Sequence, residues 1–466
     1  MSKPRKRRLL QFGLRSLIVL VIVAAVGAFW LSRLVDQARN ERLAVESLRE
    51  LGAQVTYAYE IDDDHRPIAN PVRKGPAWIR QLLGEDLFNH PVSVRMPMVA
   101  ATDEQMQALR HMPTLRWLNL SAPTKAEGEH FTDASLAHIA EMKDMEDLSL
   151  VNFNFTDKGT QALKQLTKLS RLSLDNSNVT DTGLRNIEHL DQLTFLTLGD
   201  LPGVTDAGLV HLKDMQSLKE IRINGTGIRG PGLRHLAGKN QLGTITLTDS
   251  SLGDEGLQHL GNLPALYFLE LGGTNITDEG LANLGEIPSL MWLGIRRTQI
   301  TDAGLKHLQG CANLEKLGLP GENMRGAGLA DLAKLPKMIY VDLDNSELNA
   351  AGWASLEQLT QVTMVSLKNA KCTDDDIKTV SENMPQLFAI MLSGTQVTDA
   401  VIPHLMAMAN LQQLALDETE LSQASIMELS KGTQFTNLFL GEGQLSPQSL
   451  RQFQAAAPQC NVMMMR

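Results

Sequence analysis

The chain has 466 residues, of which 43% are apolar, 21% charged and only 5% aromatic, so its core must be large and aliphatic, built from stacked Leu, Ile and Val. Residues 1–33 hold seven Lys and Arg and no carboxylate, so the net charge of −10 becomes −17 over the remainder. A body that acidic repels phosphates and argues against nucleic acid as a partner, since that needs a Lys/Arg surface.

The first predicted element is a membrane anchor. Residues 1–15 carry a basic cluster from Lys3 to Arg8, and residues 16–32, SLIVLVIVAAVGAFWLS, carry no charge. About 17 apolar residues is the lower limit for crossing a bilayer. Trp30 stands where an interfacial aromatic belongs, and the flank beyond it is mixed in charge. The positive-inside rule then puts the N-terminus in the cytoplasm and the body outside it. The alternatives are a cleaved signal peptide, with Val26-Gly27-Ala28 as a small-residue cleavage site and a secreted product, and a buried core helix, which the adjoining basic cluster disfavours. Leu34, Ala38, Val45 and Leu48 continue at near-helical spacing, which predicts a juxtamembrane helix over 33–52 and favours the anchor.

Residues 53–112 read as an N-terminal cap. Val55, Tyr57, Tyr59 and Ile61 alternate like a strand, and Pro76 to Gly84 reads as a short helix opened by proline and closed by glycine. Val92, Val94 and Met96, followed by Thr102-Asp103 with Met106, Leu109 and Met112, form a degenerate first repeat.

From 113 to 434 one pattern dominates. An L-x-x-L-x-L strand, such as Leu169 to Leu174, is followed by a polar turn and then by Thr-Asp-x-Gly-Leu-x-x-Leu. The first apolar strand position recurs at Leu115, Met145, Leu169, Leu193, Leu218, Leu242, Leu266, Leu290, Leu314, Met338, Val362, Leu387, Leu411 and Phe435, in steps of 24 or 25 after a first step of 30. That period with that strand motif predicts an α/β leucine-rich-repeat solenoid, with a curved parallel sheet and convex helices. Thr277 is expected to cap a helix and Asp278 to face its dipole, while Gly280 leaves room for close approach to the neighbouring repeat. The glycine is replaced by Asp376, Val401 and Ser425 in the last units. Residues 435–466 read as a C-terminal cap, in which the apolar tail Met463-Met464-Met465 has no assigned place.

These residues carry a resemblance. The T-D-x-G-L repeat resembles that of ribonuclease-inhibitor-like solenoids and F-box adaptors, although no F-box-like segment is present. The leader FGLRSLIVLVIVAAVGAFWL, the segment ERLAVESLRELGAQVTYAYE and PAWIRQLLGEDLF ahead of the repeats make the whole chain similar to the membrane-anchored leucine-rich-repeat proteins of planctomycetes. The resemblance implies a curved solenoid with an interaction role and supplies no partner.

No catalytic, cofactor or metal motif is present: no H-E-x-x-H, P-loop, G-x-S-x-G or EF-hand loop occurs. Asp62-Asp63-Asp64 reads as a solvated turn and Asp374-Asp375-Asp376 as a helix start with its capping acids. His138, His211, His235, His259, His307 and His404 share one repeat slot and read as half-exposed helix positions; the alternative is a pH-sensitive or metal-binding stripe, for which most neighbours lie too far apart unless the helices crowd together. Cys311 and Cys372 lie more than two repeats apart, beyond disulfide reach, and are expected to be buried thiols.

The expected function is therefore non-enzymatic protein binding on the concave face. Strand positions three and five should point outward there. Position three holds Trp117, Phe195, Phe268, Trp292 and Tyr340; position two adds Tyr267, Met291, Ile339 and Phe388; position five adds Met391 and Phe439. A solvated sheet face should not be so rich in aromatics and Met, which anchor protein interfaces. Phe268 and Trp292 are expected to form one patch on adjacent strands, with Glu270, Arg296 and Arg297 as a polar rim. Two alternatives stay open: the aromatics pack only on one another, or the face recognises glycan or cell-wall fragments. The pattern sets no oligomeric state.

Overall fold

The computed structural model describes residues 14–62, 66–83, 88–98, 101–284 and 287–465. The basic cluster Lys3–Arg8, the pair Asp63-Asp64 and Gly84 lie outside them. The chain forms two compact units, Met1–Asn154 and Phe155–Arg466.

In the first unit a single helix, α1 (Leu14–Glu50), runs unbroken for 37 residues. Every side chain from Ile18 to Leu34 is exposed, Trp30 among them. From Ala38 onward the character changes: Ala38, Glu41, Ala44, Val45 and Leu48 are buried at helical spacing. One half of α1 is thus an apolar rod and the other half is packed into the unit. Four strands follow: β1 (Gln54–Tyr57), β2 (Pro91–Met96), β3 (Trp117–Ser121) and β4 (Asp147–Val151). β1 runs antiparallel to β2, with Val55 opposite Val94, whereas β2, β3 and β4 are parallel. The predicted strand through Ile61 stops at Tyr57, where the chain turns back and Ile61 makes only an isolated bridge to Pro67. The short helix α2 (Ala77–Leu83) falls where proline predicts it. The degenerate first repeat is realised as β2 followed by Asp103–Met106 with a full Thr102 capping box.

The second unit stacks thirteen parallel strands among the described residues. They are β5 (Arg171–Ser173), β6 (Phe195–Thr197), β7 (Glu220–Arg222), β8 (Thr244–Thr246), β9 (Phe268–Glu270), β10 (Trp292–Gly294), β11 (Lys316–Gly318), β12 (Tyr340–Asp342), β13 (Met364–Ser366), β14 (Ala389–Met391), β15 (Gln413–Ala415), β16 (Asn437–Gly441) and β17 (Asn461–Met465). Each pairs in register with the next, so that equivalent repeat positions form straight rows. The strand leucines of positions one, four and six, such as Leu266, Leu269 and Leu271, are fully buried. The Met463–Met465 tail finds its place here: it is the last strand, paired with Phe439 to Gly441.

Two features of each repeat exceed the sequence expectation. A left-handed residue closes the turn after the strand, at Asn176, Asp200, Gly225, Asp249, Gly273, Arg297, Gly321, Asn345, Asn369, Gly394 and Glu418. Asn, Asp and Gly dominate because they tolerate positive φ at least cost. The convex segment is often a 3₁₀ helix rather than the expected α-helix, as at Gly208–Leu212, Pro231–Leu236 and Asp302–Gly310. Short segments favour the tighter i→i+3 turn.

Cys311, Cys372 and Cys460 are free and buried. Burial raises the Cys311 thiol to about 11 and the Cys372 thiol to about 12. The six aligned histidines are half-exposed, and among the described residues no group of His, Cys, Asp and Glu is arranged to hold a metal ion.

Candidate functional site

The outward row at strand position three runs Thr244, Phe268, Trp292, Lys316, Tyr340, Met364. Phe268 and Trp292, one strand apart, stack with ring centroids at 5.6 Å and planes within 6°. Trp292 and Tyr340 stack in turn at 6.3 Å and 13°, across the intervening β11. Three rings therefore form one continuous file, half-buried, on the solvent side of β9 to β12.

The parallel row at position five runs Thr246, Glu270, Gly294, Gly318, Asp342, Ser366. It fixes the file from below. Glu270 accepts a hydrogen bond from the Trp292 indole N–H at 3.1 Å. Its carboxylate lies over Gly294, where any Cβ would come within 2.0 Å of Oε2. Arg296 reaches two strands across to Asp342, donating from Nε at 2.8 Å and from Nη2. It passes over Gly318, where a Cβ would meet the guanidinium carbon at 3.1 Å. Asp342 is 1% exposed and also receives the Tyr340 hydroxyl at 3.3 Å and the Asp344 amide at 2.9 Å. Ser366 donates to Asp344.

Charge here is concentrated and mutually compensated. Burial opposes the Arg296 charge, but the Asp342 bond together with the charges of Asp342, Glu270 and Tyr340 outweighs it and raises its pKa. Burial, with Asp342 and Asp344 nearby, raises the Tyr340 phenol to about 12. Burial and the Asp342 charge raise the Asp344 carboxyl, against the stabilising Ser366 bond.

The sequence-selected residues divide into separate places. Phe268, Trp292, Tyr340 and Arg296 meet in this file. Tyr267 and Met291 are exposed, at 49% and 40%, in the neighbouring position-two row with Ile339. Tyr267 lies over Gly243, and its hydroxyl accepts from Thr244 at 3.2 Å. Met391 sits at position five of β14, between Ser366 and Ala415. Phe195 on β6 lies apart from the file, between the guanidinium groups of Arg171 at 4.1 Å and Arg222 at 5.5 Å. Trp117 belongs to the first unit, with Arg116 over its ring at 4.7 Å. Glu270 and Arg296 are built into the file rather than forming a loose rim, and Arg297 pairs with Asp249 at 2.9 Å. Sequence reasoning missed Gly294, Gly318, Asp342 and Asp344. Their signal was two consecutive glycines in a row otherwise held by larger residues.

Short in-register strands, one convex segment per 24 or 25 residues and a fully buried leucine ladder define a leucine-rich-repeat solenoid. No protein-family model and no curated protein matches the chain. Solved structures do. An internalin from Listeria monocytogenes aligns with a TM-score of 0.50 and 19% identity, over 74% of this chain and 86% of its own. A leucine-rich-repeat protein of Leptospira interrogans aligns at 0.48 and 17%, over 84% and 93%. The leucine-rich-repeat ectodomain of a plant membrane receptor kinase from Arabidopsis thaliana, solved with Casparian strip integrity factor 2, aligns at 0.46 and 15%, over 81% and 50%. At 19% identity the likeness to the internalin is one of fold alone.

Proposed function

We propose that the chain is a non-enzymatic scaffold, tethered to a membrane through α1, that takes a protein partner on the concave face of its sheet. The observation that carries this reading is the aromatic file Phe268–Trp292–Tyr340. Large rings on a solvent-facing sheet are held by Glu270, Arg296 and Asp342, over two glycines whose side chains would obstruct that scaffold. A pre-ordered aromatic anchor loses little side-chain entropy on binding, and such anchors dominate interface energetics. Tyr267, Met291 and Ile339 extend the apolar surface beside it. The N-terminus is cytoplasmic and the repeats extracytoplasmic in this reading; secretion after signal cleavage is the competing topology. The chain belongs, on this reading, with planctomycete-type anchored repeat proteins.

Crosslinking of the membrane-embedded full chain, followed by mass spectrometry, tests the proposal. Trp292→Ala should reduce partner capture about tenfold or more; unchanged capture by both Trp292→Ala and Phe268→Ala sinks it. Glycan recognition is weighed by the same geometry. Sugars stack on an open ring face, and here the ring faces are largely turned to one another. A glycan array with the ectodomain separates the two readings.

A further inference from the structure

The junction between the apolar half of α1 and the first unit carries an inference about lipid. The exposed stretch Ile18–Leu34, apolar but for Ser32 and Arg33 near its end, is about 26 Å long at 1.5 Å per residue. Burial begins at Ala38, only about 6 Å further along the axis. The packed part of the unit therefore starts within about one headgroup layer of the end of the span, with no flexible linker between.

At that level lies a surface cavity of 490 Å³, walled by Arg33, Asp36, Gln37 and Asn40 of α1 and by Arg110 and His111 of the 3₁₀ segment Gln107–His111. Its lining holds two arginines and one carboxylate. The Arg33 guanidinium lies over the Phe29 ring, 5.1 Å from its centroid, which holds the charge at the apolar boundary. Arg110 donates from Nε to His111 Nε2 at 3.3 Å, leaving its terminal nitrogens for a ligand's oxygens. Burial and then the Arg110 charge lower the His111 pKa, in keeping with Nε2 accepting this bond.

We infer that this cavity binds the phosphate-bearing headgroup of an anionic phospholipid. The inference rests on α1 being a membrane span. A guanidinium pair matches phosphate oxygens bidentately, Gln37 and Asn40 supply amide donors for a polar headgroup, and the cavity opens where a headgroup would lie. The bound lipid would fix the orientation of the first unit on the bilayer.

Native mass spectrometry of the full chain, released from mixed phosphatidylglycerol and phosphatidylcholine micelles, tests this. One phosphatidylglycerol adduct is expected, weakened about tenfold in Arg110→Gln and only partly restored in Arg110→Lys, which keeps the charge but not the fork, with Arg222→Gln of the second unit as an unaffected control. Circular dichroism verifies that each variant is folded. Equal retention of both lipids, or insensitivity to Arg110→Gln together with His111→Gln, overturns the proposal. Displacement of the adduct by millimolar inorganic phosphate also overturns it, because the site would then serve a free anion. Carbonate extraction of native membranes is read separately: release of the chain rejects the anchor itself, whereas retention without an adduct rejects only the lipid site.

Discussion

The carboxylate of Asp254 accepts both the amide and the hydroxyl of Thr277, at 2.8 and 2.7 Å, one repeat further along the chain. The same clamp joins Asp103 to Thr132, Asp157 to Thr180, Asp181 to Thr205, Asp278 to Thr301 and Asp374 to Thr398. The Asp of Thr-Asp thus does more than face its own helix dipole: it bonds the next repeat. The glycine three residues after the clamped Thr lies against the same carboxylate. A Cβ at Gly280 would stand 2.3 Å from Asp254 Oδ1. The clamp does not require the glycine, since Ser135 and Val401 fill that slot beside the intact Asp103–Thr132 and Asp374–Thr398 clamps. Ala350 replaces the Asp, and in the following repeat Asp376 occupies the glycine slot and caps its own Thr373 at 2.8 Å.

Asp254→Ala should therefore cost about 2 kcal/mol, the range for charge-assisted hydrogen bonds to a partly buried carboxylate. Gly280→Ala should cost a similar amount alone but much less in the Asp254→Ala background. Urea denaturation of the four chains of this double-mutant cycle measures the coupling; additive effects would show that the glycine serves the helix backbone instead.

Acid should weaken the same clamp. Burial raises the Asp103 carboxyl, but hydrogen bonds from Ser135 and Thr132 outweigh it and leave the pKa below the ordinary value of 3.8. A carboxyl depressed on folding contributes stability above its unfolded pKa and loses it as pH falls through the folded value. Asp103→Asn should accordingly lose its deficit relative to the native chain only below about pH 4, as followed by urea midpoints across pH.

Lys239 occupies a core slot taken by Met215 and Leu263 in the neighbouring repeats, and is fully buried. Its ammonium donates to the carbonyls of Lys213 at 3.1 Å and Met215 at 2.8 Å, while burial lowers its pKa from 10.5 to about 8. A lowered lysine pKa destabilises the fold: the penalty is absent above pH 10.5, grows as pH falls towards 8, and is complete below. At about 1.4 kcal/mol per pKa unit it reaches roughly 3 kcal/mol, partly offset because a replacement takes the donor from the Met215 carbonyl, whereas that of Lys213 keeps Gln216 Nε2. Lys239→Met should raise stability at pH 7 by about 1 kcal/mol, and the gain should vanish above pH 10. Urea midpoints at both pH values check the sign; a variant less stable at pH 7 would refute it.

Arg296→Met should cost about 3 kcal/mol, because it strands the buried Asp342 carboxylate. Asp342→Asn should also bring the Tyr340 phenol down from about 12, since Asp342 is one cause of the rise after burial. Ultraviolet titration of tyrosinate reads that change; an unmoved Tyr340 would show that burial alone sets it.

The period of 24 or 25 residues, the inward leucines of each strand and the apolar stretch over 16–32 were legible in the residues themselves. They depend on local periodicity: alternation fixes which side chains face inward, and a fixed spacing forces equivalent positions into rows. The neighbouring strands of Phe268 and Trp292 followed from the same register. What the register brings together beyond one strand did not. Arg296 and Asp342 are 46 positions apart and meet only because Gly318 leaves the intervening strand open. The partner of Asp254 lies 23 positions on, and the burial of Lys239 breaks the apolar pattern rather than following it. Stacking chooses these partners, because each polar group taken from water must find its donor or acceptor among whatever side chains the neighbouring repeats present.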